Sequence, residues 1–182
     1  VFYSSRHNDL ASTLENNNVD IVLPVNSDLG ANFPVPWLAY IPDFQHKYLH
    51  YYFTEHECFA RETAFSARLR DCKAVVVNSM SVKSDIIKFY PWINAARIKV
   101  LPFTPHPIPD WLAVDSLEIK KKYGLPQNYF LICNQFWIHK DHPTAFHAFA
   151  QLASKDVHLV CTGTLSDYRH PDYVEEQKML LD

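Results

Sequence analysis

The densest group of side chains that could carry chemistry lies in residues 134–142, Asn-Gln-Phe-Trp-Ile-His-Lys-Asp-His. An apolar run precedes this segment, and Pro143, which suits the first turn of a helix, follows it. Backbone N–H groups at a helix N-terminus bind anions, and Lys140 adds a positive charge close to that end. Asp141 opposes an anion unless its carboxylate caps the helix. The pattern predicts a phosphate site, the alternative being a solvated lysine in an aromatic loop.

Composition excludes several classes of protein. Among 182 residues there are only three glycines, Gly30, Gly124 and Gly163, and they lie too far apart for a glycine-rich phosphate loop or the Gly-x-Gly-x-x-Gly fingerprint of a dehydrogenase. The formal net charge of -3 argues against a nucleic-acid partner. No apolar run approaches the ~18 residues that span a bilayer. The four cysteines form no close pairs, which favours a reducing cytoplasm over a disulfide framework.

Short apolar runs alternate with amphipathic stretches, which predicts an α/β fold whose parallel strands are covered on both faces. Strands are predicted at 21–25, 37–41, 74–77, 98–103, 129–133 and 157–161, and helices at 54–70, 82–90, 116–123 and 144–153. The expected N-caps are Thr54 (in a capping box with Glu57), Ser81 and Asp115. Ser79, at a strand end, is expected to cap a turn or to touch a ligand.

A proline-rich segment marks the best linker. Prolines at positions 102, 105, 107 and 109 lie where neither a helix nor a central strand would tolerate them. We therefore predict a domain boundary near residue 107, with one part at 1–106 and another at 107–182.

Residues 129–152 resemble the start of the second domain in family 4 retaining glycosyltransferases of the GT-B fold. Those enzymes show a strand, Gly-Arg, a lysine four to six residues on, and then a helix. Here Asn134 and Gln135 stand at Gly-Arg, and Lys140 stands at the lysine. The resemblance implies that Asn134, Gln135 and Lys140 bind the diphosphate of a sugar nucleotide. Gln135 replaces an arginine and donates only neutral hydrogen bonds.

Two further segments match the same family. Residues 37–47 resemble a first-domain strand, with Asp43 at the aspartate of a His-Asp pair, Pro42 at the histidine, and His46 just beyond. This implies that Asp43 and His46 contact the acceptor or the transferring sugar; for His46 the alternative is a hydrogen-bonded structural side chain. Residues 159–163 resemble the second strand of the second domain, with Gly163 where backbone approaches a ligand. Asp167 and Arg169 follow in a loop, where we expect a structural role.

The resemblance implies an α/β fold with two Rossmann-like parallel-sheet domains, both incomplete in this chain. Residues 1–106 would be the C-terminal part of the acceptor-side domain. Residues 107–182 would be a linker and the N-terminal part of the nucleotide-sugar-binding domain. The family's glycine-rich loop would precede Val1 and its Glu-x7-Glu segment would follow Asp182, so the chain alone is expected to be inactive.

The implied activity is sugar transfer, with retention, from a nucleoside diphosphate sugar to a saccharide or lipid-linked acceptor. The implied setting is cell-surface polysaccharide synthesis in the cytoplasm, with peripheral contact at the inner membrane left open. No cofactor and no metal are expected, because GT-B enzymes stabilise the departing diphosphate with basic side chains and a helix end.

Two alternatives stay open on the sequence. A sugar-nucleotide epimerase can share the two-domain layout, and it would form a product without any acceptor. A non-catalytic module is the other alternative, either a sugar-nucleotide-binding scaffold or, given ten histidines, a metal-binding domain. His46, His50, His56 and Cys58 lie close in sequence, but no Cys-x2-Cys or His-Glu-x-x-His spacing accompanies them, so zinc is disfavoured.

Overall fold

The structure, a computed structural model, describes residues 7–152 and 156–179. Contacts between residues divide the chain into two compact units, Val1–Thr104 and Pro105–Asp182, which we call unit 1 and unit 2. The division falls inside the proline-rich segment, where backbone without N–H donors cannot extend a helix or a central strand.

Unit 1 is built around a four-stranded sheet in the order β1-β2-β3-β4, in which every neighbouring pair is parallel. The strands are β1 (Val22–Val25), β2 (Trp37–Tyr40), β3 (Ala74–Val77) and β4 (Ile98–Val100). Its helices are α1 (His7–Asn16), α2 (Gln45–Tyr48), α3 (Glu55–Asp71) and α4 (Met80–Phe89), with 3-10 turns at His50–Tyr52 and Ala95–Arg97. Because helices follow β2 and β3, the carboxyl ends of these strands open into loops that feed helix N-termini.

The core of unit 1 explains why β2 and β3 are continuously apolar. Ala39, Val75 and Val77 have no exposed surface, and Leu69 of α3 and Ile86 of α4 pack in the same cluster. Parallel strands that bury both faces need apolar residues at successive positions rather than at alternating ones.

Unit 2 contains a two-stranded parallel sheet of β5 (Tyr129–Cys133) and β6 (His158–Thr162). Its helices are α5 (Pro109–Ala113), α6 (Ser116–Tyr123), α7 (His142–Ala150) and α8 (Tyr173–Met179), with a 3-10 turn at Ile138–Lys140. The register pairs Tyr129 with His158 and Cys133 with Thr162, so both strands end at the same edge. A small core of Phe136, Phe146, Tyr173 and Val174 packs α7 and α8 together near that edge.

The predicted α/β class with parallel strands is confirmed, and the strand positions agree closely. The capping box of Thr54 and Glu57 is present, and Asp115 caps α6. Ser81 was the wrong choice of cap: α4 begins at Met80, and the Ser79 hydroxyl accepts the Val82 N–H at 3.3 Å. β4 ends at Val100 rather than at 103.

Helix α7 begins two residues before the predicted start of 144 and ends at Ala150. Residue 153, the predicted end, lies outside the described residues. Within the two described ranges, no helix combines the length and the apolar character that crossing a membrane requires.

Candidate functional site

The carboxyl ends of β5 and β6 bring two loops side by side. Asn134 donates its backbone N–H to Thr162 O at 3.1 Å, and Phe136 donates its N–H to Thr164 O at 3.0 Å. These bonds continue the strand pairing beyond β5, into residues 134–141, which we call the β5–α7 loop. The start of that loop is therefore fixed by the loop that follows β6.

Gly163 is where the two loops approach most closely. A Cβ atom built there would lie 2.0 Å from the Asn134 carbonyl oxygen, and the Gly163 φ of +147° is one that other residues rarely adopt. The same Cβ would lie 3.0 Å from Gln135 Cα. The structure thus brings together three of the predicted donor-binding positions, and it explains why the third must be glycine.

Lys140 lies at the other end of the β5–α7 loop, directly before α7. Its backbone N–H donates to Trp137 O at 2.8 Å, closing the 3-10 turn, and its side chain is exposed. Across residues 7–152 and 156–179, no hydrogen bond or ion pair engages its ammonium. The ammonium is therefore available to an anion that approaches the beginning of α7.

The N-terminus of α7 has no side-chain cap. Asp141 occupies the N-cap position with left-handed backbone, φ 54° and ψ 49°, and its exposed carboxylate accepts no hydrogen bond from the first turn. Pro143 has no N–H and the His142 N–H donates to the Tyr173 hydroxyl, which leaves the Thr144 N–H as the first-turn donor without an acceptor inside the helix. The carboxylate of Asp141 is not used in capping, so it remains a negative charge near the proposed anion site.

His142 anchors the start of α7 in the core. Its ring is 1% exposed and stacks on Phe136, with ring centroids 4.3 Å apart and planes at 7°. Its backbone N–H donates to the Tyr173 hydroxyl at 3.2 Å. Burial lowers the pKa of His142; Asp141 opposes this effect, and the charge on Lys140 adds to it. A neutral, packed imidazole therefore holds the helix start while Lys140 stays outside. The sequence showed no signal for this role.

Asp167 connects the loop after β6 to the β5–α7 loop. Its side chain has no exposed surface, its Oδ2 accepts the Ile138 N–H at 2.8 Å, and its Oδ1 accepts the Arg169 N–H at 3.0 Å. Burial alone would raise the pKa of Asp167, but the N–H donors and the Arg169 guanidinium lower it below its ordinary value. The buried carboxylate is therefore ionised and fully used as an acceptor.

Arg169 extends the same contact. Its guanidinium lies 5.4 Å from the Trp137 ring centroid, and its Nη2 lies 3.4 Å from His139 Nδ1. Because a guanidinium only donates, the His139 Nδ1 must act as the acceptor. We expected a structural role for Asp167 and Arg169, but no local pattern indicated that Asp167 bonds to a residue 29 positions earlier and Arg169 to one 30 positions earlier, in the loop before Lys140.

In unit 1, Asp43 follows β2 and is half-buried. Its Oδ1 accepts the Gln45 N–H at 3.1 Å, its Oδ2 lies 3.3 Å from Gln45 Nε2, and Arg61 Nη1 is 4.0 Å from Oδ1. Asp43 borders a cavity of about 360 Å³ at the carboxyl ends of β2 and β3. Other residues lining this cavity include Tyr48, Asn78, Ser79 and Asp85.

His46 occupies a different neighbourhood, in the core beneath α3. It is 3% exposed, and its Nε2 lies 2.7 Å from Glu62 Oε1. Lys47 Nζ lies 2.8 Å from the other Glu62 oxygen, and the Tyr90 hydroxyl donates to Oε1 at 3.2 Å. Burial would raise the pKa of Glu62, but the bonds from Lys47 and His46 lower it overall. Asp43 therefore faces a cavity, while His46 is held inside.

No group of three or more histidine, cysteine, aspartate or glutamate side chains in the described ranges is arranged to hold a metal ion. The chain matches no protein-family model and has no significant match among curated proteins. The class that the structure itself defines is an α/β protein with parallel sheets in two units.

Proposed function

We propose that this chain is part of a retaining glycosyltransferase of the GT-B type that uses a nucleoside diphosphate sugar as its donor. The observation that carries the proposal is the start of α7. There, an exposed lysine without a partner in the described residues stands beside a helix N-terminus that has no side-chain cap. A lysine beside an uncapped helix N-terminus suits the diphosphate of a sugar-nucleotide donor, because a diphosphate carries negative charge and many acceptor oxygens.

The chemistry requires stabilisation of a departing diphosphate. As the bond to the sugar breaks, negative charge develops on the leaving group, and donors that are already oriented lower the barrier most. In this proposal Lys140 supplies the positive charge, and the first turn of α7 and Gln135 supply neutral donors. The absent side chain of Gly163 lets the backbone of both loops approach the ligand. No step in this account requires a metal or a cofactor.

In unit 1 we assign acceptor contact to Asp43, because it borders the cavity at the carboxyl ends of β2 and β3. An acceptor hydroxyl, from a saccharide or a lipid-linked sugar, would donate to that carboxylate. His46 is enclosed, and we assign it the indirect role of holding Glu62 and, through it, Lys47. Cell-surface polysaccharide synthesis in the cytoplasm, peripheral to the inner membrane, is the setting that this activity suggests.

The test is direct binding of UDP, GDP, ADP and dTDP to the protein, measured by calorimetry. At least one should bind, and Lys140→Ala should weaken it about tenfold, which corresponds to ~1.4 kcal/mol for a lost charge-assisted contact. Lys121→Ala is the matched control, since Lys121 is an exposed lysine in the last turn of α6. It should leave the affinity unchanged. Absence of binding by all four diphosphates, or equal affinity in Lys140→Ala, would contradict the proposal.

A further inference from the structure

We propose that Asp167 and Arg169 are positioning residues that set the conformation of the β5–α7 loop for diphosphate binding, an inference that rests on the proposed function. Their contacts fall on the residues that directly precede Lys140. Arg169 contacts Trp137 and His139, and Asp167 accepts the N–H of Ile138. The contacts of Asp167 and Arg169 therefore fix residues 137–139, the three residues before Lys140.

The need for such positioning follows from the side chain at the site. Lysine is a point charge on a flexible stem, so the place of its backbone decides where the ammonium can act. Gln135, at the beginning of the loop, carries no charge. Lys140 is therefore the residue of this loop that supplies a permanent positive charge to a diphosphate. A small displacement of the 3-10 turn would therefore weaken diphosphate binding more than it would weaken the fold.

The observations favour an indirect role for Arg169 over contact with the ligand. Only 8% of its side chain is exposed, and the Asp167 carboxylate lies 3.5 Å from its Nε. A cation that is enclosed and paired in this way offers little net charge to an incoming anion. Its planar group instead fits between the carboxylate, the Trp137 ring and the His139 imidazole, which fixes the relative positions of the two loops.

The experiment is a double-mutant cycle with inorganic pyrophosphate as the titrant, using Lys140→Ala, Asp167→Asn and the double variant. Asparagine keeps an acceptor oxygen for the Ile138 N–H but removes the charge that holds Arg169. We expect Asp167→Asn to weaken pyrophosphate binding about fivefold to tenfold, with an unchanged circular dichroism spectrum. In the Lys140→Ala background the same substitution should have no further effect, because Asp167 acts through Lys140.

Arg169→Lys, which keeps the charge but loses the planar contacts, provides a second route should Asp167→Asn fail to fold. It should also weaken pyrophosphate binding, and Lys140→Ala should again abolish the difference. Arg70→Gln is the matched control, since Arg70 is an exposed arginine that pairs with its neighbour Asp71 in unit 1. It should bind pyrophosphate like the unaltered protein.

The outcomes separate this inference from the proposed function. If Lys140→Ala weakens binding while Asp167→Asn and Arg169→Lys do not, the positioning role is wrong and the diphosphate site stands. If the losses from Asp167→Asn and Lys140→Ala simply add, Asp167 does not act through Lys140, and the inference is again overturned. If the unaltered protein binds no pyrophosphate, or Lys140→Ala binds it equally well, the diphosphate site itself is contradicted.

Discussion

Helix α4 in unit 1 and helix α7 in unit 2 both follow a parallel strand, yet their first turns are completed differently. After β3, Ser79 takes extended backbone, and its hydroxyl accepts the Val82 N–H. After β5, Asp141 takes left-handed backbone and caps nothing, with Lys140 exposed beside it. The start of α4 is closed by the Ser79 side chain, while the start of α7 leaves the Thr144 N–H and the Lys140 ammonium available to a ligand.

The loops that lead from each strand into its helix also differ, in length and in what holds them. Only Asn78 and Ser79 lie between β3 and α4, whereas residues 134–141 lie between β5 and α7. The longer loop would be free to move if it stood alone, but the loop after β6 holds it through Gly163 and Asp167. In this protein an open helix N-terminus therefore depends on a neighbouring loop, while a capped one depends only on local sequence.

The largest effect is expected from Gly163→Ala. Its Cβ would collide with the Asn134 carbonyl, so we expect the free energy of unfolding to fall by ~3 kcal/mol and diphosphate binding to be lost. Gly124→Ala is the matched control, because Gly124 also has positive φ but nothing lies within 4 Å of its Cβ position. It should cost ~1 kcal/mol. Equal costs in chemical denaturation would show that the loops do not meet as described.

The next effect concerns the buried histidine of unit 1. His46→Ala removes a ring packed against Phe44 and Phe65 and leaves Glu62 without its closest partner, so we expect a loss of ~2 kcal/mol in the free energy of unfolding. His50→Ala, at an exposed histidine nearby, should change it by less than ~0.5 kcal/mol. A His46→Ala variant as stable as the control would indicate that His46 is not part of the core.

A smaller pair of substitutions tests the two helix starts themselves. Ser79→Ala should lower the free energy of unfolding by ~1 kcal/mol through loss of the cap. Asp141→Asn, which suits the same left-handed backbone, should change it by less than ~0.5 kcal/mol, because no cap bond is lost. Removing the carboxylate should also tighten diphosphate binding about threefold. Weaker binding in Asp141→Asn would mean that Asp141 assists the ligand rather than opposing it.

The sequence predicted the strands well because most of them are short apolar runs, a pattern that depends only on local composition. The expected cover on both faces holds for β3 but is wrong for β5, where Phe130 and Leu131 are exposed. It predicted Lys140, Asn134, Gln135 and Gly163 as one neighbourhood, and the structure places the last three in contact around the two strand ends. It chose Ser81 rather than Ser79 as the cap, because both hydroxyls precede an apolar helix at suitable spacing and nothing local distinguishes them.

The contacts that the sequence did not reveal are those between elements far apart in the chain. The enclosure of His46 depends on Phe65 and Glu62 of α3, and the acceptance of the Ile138 N–H by Asp167 depends on β6 lying beside β5. Such contacts follow from packing rather than from local spacing. The sequence of residues 164–172 alone therefore could not predict their contacts with the β5–α7 loop.

The smallest effect is a pH dependence of stability. The folded-state pKa of Asp167 lies below its ordinary value of 3.8, so its contribution to stability is complete above about pH 4 to 5 and is lost as the pH falls through the lower, folded-state pKa. Asp167→Asn should therefore show a shallower loss of stability between about pH 5 and pH 2 in denaturation experiments. A profile as steep as that of the unaltered protein would mean that the carboxylate is not held ionised.

An NMR titration of backbone amides with inorganic pyrophosphate tests directly whether the start of α7 binds a diphosphate. We expect shifts that saturate at Lys140 and Thr144, at the start of α7, and at Gly163, where the loop after β6 meets the beginning of the β5–α7 loop. The amide of Val82, which the Ser79 cap already satisfies, should not move. Shifts of the same size at Val82, or no shifts around the beginning of α7, would contradict a diphosphate site at the start of α7.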